Sequence, residues 1–164
     1  MFGTLQTQRL LLRPLALKDA AFIFTLLNST SWIQFIGDRG VQTMADAERY
    51  IHEKQNDPHY HCHVFENLQT QQPLGIVTFI LRSDQSHPDI GYAILPQFQK
   101  QQYTYEAVNA YLTALQKEEP CREIIAITRP ENTASINLLK KIHMRPKDEY
   151  WEAGVRFLRF SSKS

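Results

Sequence analysis

At 164 residues, 43% of them apolar and 11% aromatic, the chain has material for one sizeable core, and a single domain spanning 1–164 is expected. Eighteen Lys and Arg against seventeen Asp and Glu leave a formal charge of +1, so no net field draws the surface to phosphate backbones or anionic lipid. Neither nucleic acid nor membrane is expected as a partner. Cys62 and Cys121 are too few for a disulfide scaffold or a thiolate zinc site, and no apolar leader precedes Arg9 and Arg13; a soluble, cytoplasmic protein is the expectation.

In chain order, Leu10–Leu12, flanked by Arg9 and Arg13 and ended by Pro14, reads as an opening strand. Ala20, Ile23, Phe24 and Leu27 recur at helical spacing, which predicts a helix from Asp19 to Asn28. A loop through Trp32, Phe35, Ile36, Gly37 and Gly40 follows. Thr43 with Asp46 three residues on resembles a capping box opening a second helix to about Lys54. Asn56-Asp57-Pro58 breaks the chain. His61–Phe65 and Leu74–Leu81 then read as an antiparallel hairpin, and Ile90–Leu95, bracketed by Pro88 and Pro96, as a third strand of that group.

Ala107, Val108, Tyr111, Leu112 and Leu115 form one stripe on a helix from Tyr103 to Lys117, closed by Pro120. Ile124–Ile127 is a continuous apolar strand of the kind buried on both faces, so strand, helix and strand suggest a parallel crossover. A helix over Asn132–Ile142 and two strands, Lys147–Trp151 and Val155–Phe160, paired across Ala153-Gly154, complete the order βααβββαβαββ. The fold class is α/β, a mixed central sheet flanked by helices.

In such a crossover, the loop leaving the first strand delivers a helix N-terminus whose free N–H groups attract an anion. That loop is 96–104, with the amides of Gln97, Gln99, Gln101 and Gln102 and the single cation Lys100. It reads either as a phosphate cradle or as a solvated glutamine-rich loop.

Three segments carry a family resemblance. Asp89-Ile-Gly-Tyr-Ala-Ile-Leu-Pro96 with Gln99 and Tyr103-Thr-Tyr-Glu106-Ala107 resembles the acetyl-CoA motif of the GCN5-related N-acetyltransferases. Pro130-Glu131-Asn132 with Ser135, Ile136, Leu139 and Lys141 resembles that superfamily's second cofactor motif. Thr7-Gln8-Arg9-Leu10-Leu11-Leu12-Arg13-Pro14, then Asp19-Ala20, is similar to the opening of its ribosomal-protein N-terminal (RimJ/RimL-like) branch. The resemblance implies acetyl-CoA as the acyl donor, a strand pair that splays apart, and an amine acceptor, either a protein N-terminus or a small molecule, in a monomer or homodimer.

It further implies that Ala93, Ile94 and Leu95 meet the pantetheine arm and that Gln99, Lys100, Gln101, Gln102, Tyr103, Thr104, Asn132 and Lys141 meet the rest of the cofactor. Asp89 stands at the position of a carboxylate base, with His87 as rival because imidazole titrates nearer neutrality; Ser135 is the candidate acid for the thiolate, with solvent as its rival. Trp32, Phe35 and Tyr92 are candidates for the acceptor cleft, and Trp32 and Phe35 read equally as core. Glu106 in the first turn reads as structural, because an acid there already meets the helix dipole. No metal site is expected from His59, His61 and His63, which have no acidic neighbour in the run.

The family's phosphate loop has small residues where this chain has Gln102 and Thr104, and its Gly-Phe after the second motif is here His143-Met144. A Cβ at Gln102 predicts a narrowed cradle and weakened cofactor affinity, offset by Lys100, Lys140 and Lys141. Loss of the cradle altogether would leave a non-catalytic binding or regulatory module on the same fold, the alternative reading.

Overall fold

A computed structural model describes residues 3–120 and 122–163. Cys121 lies outside the described residues.

The strands are β1 (Leu5–Gln6), β2 (Leu10–Pro14), β3 (Tyr60–Asn67), β4 (Pro73–Ile80), β5 (Asp89–Ile94), β6 (Ile125–Thr128), β7 (Arg145–Glu152) and β8 (Val155–Ser161). They form one mixed sheet in the order β1-β2-β3-β4-β5-β6-β8-β7. Every neighbouring pair is antiparallel except β5 and β6. The helices are α1 (Ala20–Leu27), α2 (Thr30–Phe35), α3 (Met44–Asn56), α4 (Tyr103–Glu118) and α5 (Thr133–Lys141).

Two elements differ from the sequence expectation. A two-residue strand, β1, extends the sheet, and the stretch around Trp32 is a short helix, not a loop. Ser29 caps α2 by accepting the Trp32 N–H, and the run is too short for periodicity to reveal.

Strand residues divide the core between the two faces. Leu10, Leu12, Phe65, Val77 and Ile90 pack with the α4 stripe and with Leu139 of α5. Val64 and Ile76 pack on the opposite face with Ile23 and Leu27 of α1, Trp32 of α2 and Ala47 and Ile51 of α3. The expected capping box of α3 is present: Asp46 N donates to Thr43 Oγ1 at 3.1 Å and Thr43 N to Asp46 Oδ2 at 2.9 Å. A buried ion cluster ties the first strand to its surroundings. Arg13 in β2 donates to Glu66 at 2.7 Å and, through both terminal nitrogens, to Asp19 at 2.8 Å. Its guanidinium is accordingly held above the ordinary arginine value, first by the hydrogen bond to Asp19.

The end of α5 explains His143-Met144. His143 N donates to Lys140 O and Met144 N to Leu139 O, both at 3.0 Å, while His143 adopts φ 64°. This is the double hydrogen bond that commonly ends a helix around a left-handed residue, with Met144 and Leu139 meeting in the core. The backbone keeps the conformation that glycine favours although histidine occupies the position.

Candidate active site

Strands β5 and β6 share a single register pair, Asp89 with Ile125, and Ile125 N donates to Pro88 O at 2.9 Å. Beyond it they part. β5 stays on β4 as far as Ile94 opposite Gly75, whereas β6 stays on β8 as far as Thr128 opposite Leu158. The five residues of β5 beyond Asp89, about 16 Å of strand, therefore have no ladder partner on the β6 side. Leu95 N donates to Leu74 O and the Ala93 carbonyl points at Gly75, so these residues face β4, and by alternation the backbone groups of Tyr92 and Ile94 face the gap.

Asp89 sits at the crotch of this V, 3% exposed and central in the sheet, not on an edge. Its carboxylate accepts from Arg82 Nε at 2.9 Å and from the Ile127 backbone, which takes the side chain where a regular ladder would supply a strand carbonyl. Burial pushes the carboxyl above the ordinary aspartate value, opposed by Arg82 and the Ile127 N–H. His87 is not in the cleft. It lies on the closed side of the Asp89–Ile125 pair with Nε2 at 3.4 Å from Glu123, so strand pairing separates it from the opening and corrects its place as rival base.

On the α4/α5 face, the Tyr92 hydroxyl is 2.8 Å from Ser135 Oγ and 3.3 Å from Ser135 O. Burial raises the phenol above its ordinary value, only partly offset by Ser135. Ser135 N donates to Asn132 Oδ1 at 3.1 Å, so Asn132 is the N-cap of α5. Strand β5 and the helix that follows β6 are thus joined by side chains across the V.

The open end of the V meets the N-terminus of α4. Lys100 and Gln102 have φ 62° and 66°, left-handed backbone without glycine. No side chain among the described residues caps α4. Its first-turn amides have no intrahelical acceptor. Gln102 Oε1 accepts from Lys141 Nζ at 2.6 Å, and Gln101 Nε2 donates back to Gln97 O at 3.3 Å. Lys141 also lies 4.1 Å over the Tyr105 ring, placing a cation beside the helix N-terminus.

On the other face, Trp32 is 5% exposed and its indole N–H donates to Gly37 O at 3.1 Å. It is a core residue with its polar atom satisfied, which corrects its place in the acceptor cleft. Phe35 is half-buried beside the exposed Ile33 and Ile36. Arg129 Nη1 donates to Gln34 O at 3.3 Å, bringing the end of α2 to the loop after β6.

The family profile for the Acetyltransferase (GNAT) domain matches residues 9–145. The chain belongs to the GNAT acetyltransferase family. The uncharacterized N-acetyltransferase YnaD of Bacillus subtilis is 28% identical over 158 residues, covering 89% of this chain and 91% of its own. The fold is shared with a GNAT acetyltransferase from Bacillus anthracis (TM-score 0.82, 20% identity, 96% of each chain). It is shared also with the ribosomal L7/L12 α-N-protein acetyltransferase RimL solved with coenzyme A (TM-score 0.78, 14% identity, 97% of each chain).

As a GNAT acetyltransferase this chain carries residues that sequence reading passed over. Arg82 lies in a polar loop seven residues before Asp89, and no local pattern marks it as the partner of that carboxylate. Arg9, the flank of the opening strand and part of the segment resembling the branch's opening, reaches Glu106 of α4 and the Gln101 carbonyl of the loop. Burial pushes the Cys62 thiol up to about 12, which disfavours the thiolate a nucleophile needs. His63 Nδ1 lies 3.2 Å from the Tyr111 hydroxyl inside the core, and no three metal-binding side chains converge among the described residues. No helix of the described residues is long and apolar enough to cross a membrane.

Proposed function

We propose that this chain transfers an acetyl group from acetyl-CoA to a primary amine by direct attack, with both substrates bound at once in the β5–β6 opening. The single register pair between those strands, with an uncapped helix N-terminus at the open end, is the observation that carries the reading. The residues present fit the cofactor: the loop keeps its left-handed positions, and Gln102 is turned toward Lys141.

Bound acetyl-CoA would supply an activated carbonyl carbon, at which the C–N bond forms as the C–S bond breaks. The amides of Gln102, Tyr103 and Thr104, with Lys100 and Lys141, hold the diphosphate; Gln99, Gln101 and Asn132 border it. Along the segment Ala93, Ile94 and Leu95, the gap-facing backbone of Ile94, with that of Tyr92, aligns the pantetheine arm. Asp89, on the α1–α3 face, accepts the proton lost by the amine through water, its raised basicity suiting the task. Ser135, on the opposite face, donates a proton to the departing thiolate and recovers one from solvent, oriented by Tyr92. The acceptor enters past Phe35.

A protein α-amino group is the favoured acceptor, because its reference pKa near 8 makes neutralisation easier than for a lysine near 10.4. The α-N-protein activity of the RimL structure supports the same choice. Calorimetric titration with CoA, followed by thiol-release assays on an N-terminal peptide and on spermidine, tests the proposal. Saturable binding and turnover of the peptide are expected. Absence of binding at millimolar CoA overturns it in favour of a non-catalytic module.

A further inference from the structure

We infer that Arg9 is a positioning residue for the phosphate loop: its side chain holds the left-handed turn that a glycine would adopt unaided. The inference rests on the proposed use of the loop for CoA, but its first test does not.

Arg9 lies just before β2, 92 residues before Gln101; besides accepting from Leu68 N through its carbonyl, it makes four contacts with α4 and the loop before it. Its Nε donates to Glu106 Oε2 at 2.7 Å and its backbone N to Glu106 Oε1 at 2.8 Å. Its Nη1 donates to Gln101 O at 3.1 Å, and its guanidinium lies 4.3 Å over the Tyr103 ring. Thr7 Oγ1 adds a 2.6 Å hydrogen bond to Glu106 Oε1, so the carboxylate at the far end is itself fixed. Burial would raise Glu106, but the hydrogen bonds from Thr7 and Arg9 outweigh it and hold the carboxyl below its ordinary value. The carboxylate is ionised and anchors the guanidinium.

The Gln101–Gln102 peptide is trans, so its C=O and N–H point in opposite directions. Holding the carbonyl against Arg9 turns the Gln102 N–H away from Arg9. On either side of this peptide, Lys100 and Gln102 occupy the left-handed region, which L-residues disfavour. A clamp on the peptide between the two strained residues, and on the ring of the next residue, offsets their tendency to relax. The loop thereby keeps its shape although it contains no glycine.

Amide hydrogen exchange in the free protein is the first test. Arg9→Ala is expected to speed exchange in residues 100–104 with little change in the β4 core; unchanged loop exchange overturns the inference. Calorimetry with CoA is the second. Arg9→Ala is expected to weaken binding about tenfold, the loss of one charge-assisted hydrogen bond. Adding Gln102→Gly, which needs no clamp, should restore binding to within about threefold. A folded Arg9→Ala protein that Gln102→Gly cannot rescue would mean that Arg9 touches the phosphate itself, and the positioning role falls. If Arg9→Ala does not fold, Arg9→Lys, which keeps the charge but lacks the fork to reach Glu106 and Gln101 together, takes its place with the same expectations. Native protein that binds no CoA would overturn the proposed function, while the exchange result still decides the clamp.

Discussion

Tyr92 and Ser135, 43 residues apart, place their hydroxyl oxygens 2.8 Å from one another across the gap between β5 and α5. The bond joins β5 to the helix that follows β6, on the face of the sheet where α4 and α5 pack, and it orients the serine. Ser135→Ala is expected to lower kcat by about 10–10² if the hydroxyl protonates the leaving thiolate. Tyr92→Phe should lower it less and cost about 1 kcal/mol of stability, the net worth of a neutral hydrogen bond. Steady-state kinetics at saturating acetyl-CoA separate the two effects; equal rates in native protein and Ser135→Ala would assign the proton to solvent.

As the proposed base, Asp89 is expected to set the pH dependence. A base works only when ionised, and burial raises this carboxyl above the ordinary 3.8, so kcat/KM is expected to fall on the acid side with a midpoint above that value. Asp89→Asn should remove this limb and about 10²–10⁴ of the rate. His87→Ala, at the closed end of the strand pair, should leave the profile in place. Linkage has a definite sign: the folded state binds this proton more tightly than the unfolded chain, so the Asp89 contribution to stability declines as pH rises from the unfolded to the folded pKa. A full-rate Asp89→Asn protein with an unaltered acid limb would exclude Asp89 as base.

Arg13 holds two buried carboxylates, Asp19 and Glu66, which are 2% and 5% exposed. Its removal leaves both without their cation in the interior. Arg13→Ala is expected to destabilise by about 3–5 kcal/mol, the range for breaking a buried pair from one side. Urea denaturation measures this directly, and a loss below about 1 kcal/mol, as for an exposed pair, would contradict the burial argument.

His143 ends α5 in the left-handed region at φ 64°. The conformation costs an L-residue about 1–2 kcal/mol, part of which glycine returns through its larger unfolded-state entropy. His143→Gly is therefore expected to stabilise by about 0.5–1 kcal/mol, with a rise in Tm of roughly 2–4 °C per kcal/mol. Differential scanning calorimetry reads the shift.

Gly75 of β4 has no room for a side chain. A Cβ there would overlap the Phe65 ring and the Ala93 carbonyl oxygen. Gly75→Ala must move β5 or the ring, so it is expected to cost about 1–3 kcal/mol, the usual range for overpacking. It should also weaken CoA binding, because a shift of β5 moves the Tyr92 and Ile94 backbone proposed to meet the cofactor. A variant with native Tm and affinity would show that β5 shifts freely.

Apart from β1 and α2, the order of strands and α-helices, with the buried stripe of α4, the α3 capping box and the Ala153-Gly154 hairpin, was legible in the sequence because each depends on residues within about one or two turns of chain. The loop-to-helix step after Pro96 was legible for the same reason. Only tertiary structure decided that Trp32 is core, that His87 lies behind the strand pair, that Asp89 answers to Arg82 and the Ile127 N–H, and that Arg9 reaches the Gln101 carbonyl. Those outcomes depend on which side chains meet across the sheet, and a hydrogen bond between groups 92 residues apart leaves no periodic trace in either segment. Local patterning is written by backbone geometry that repeats every two or 3.6 residues, whereas the partner of a charge is chosen by burial after the elements have packed.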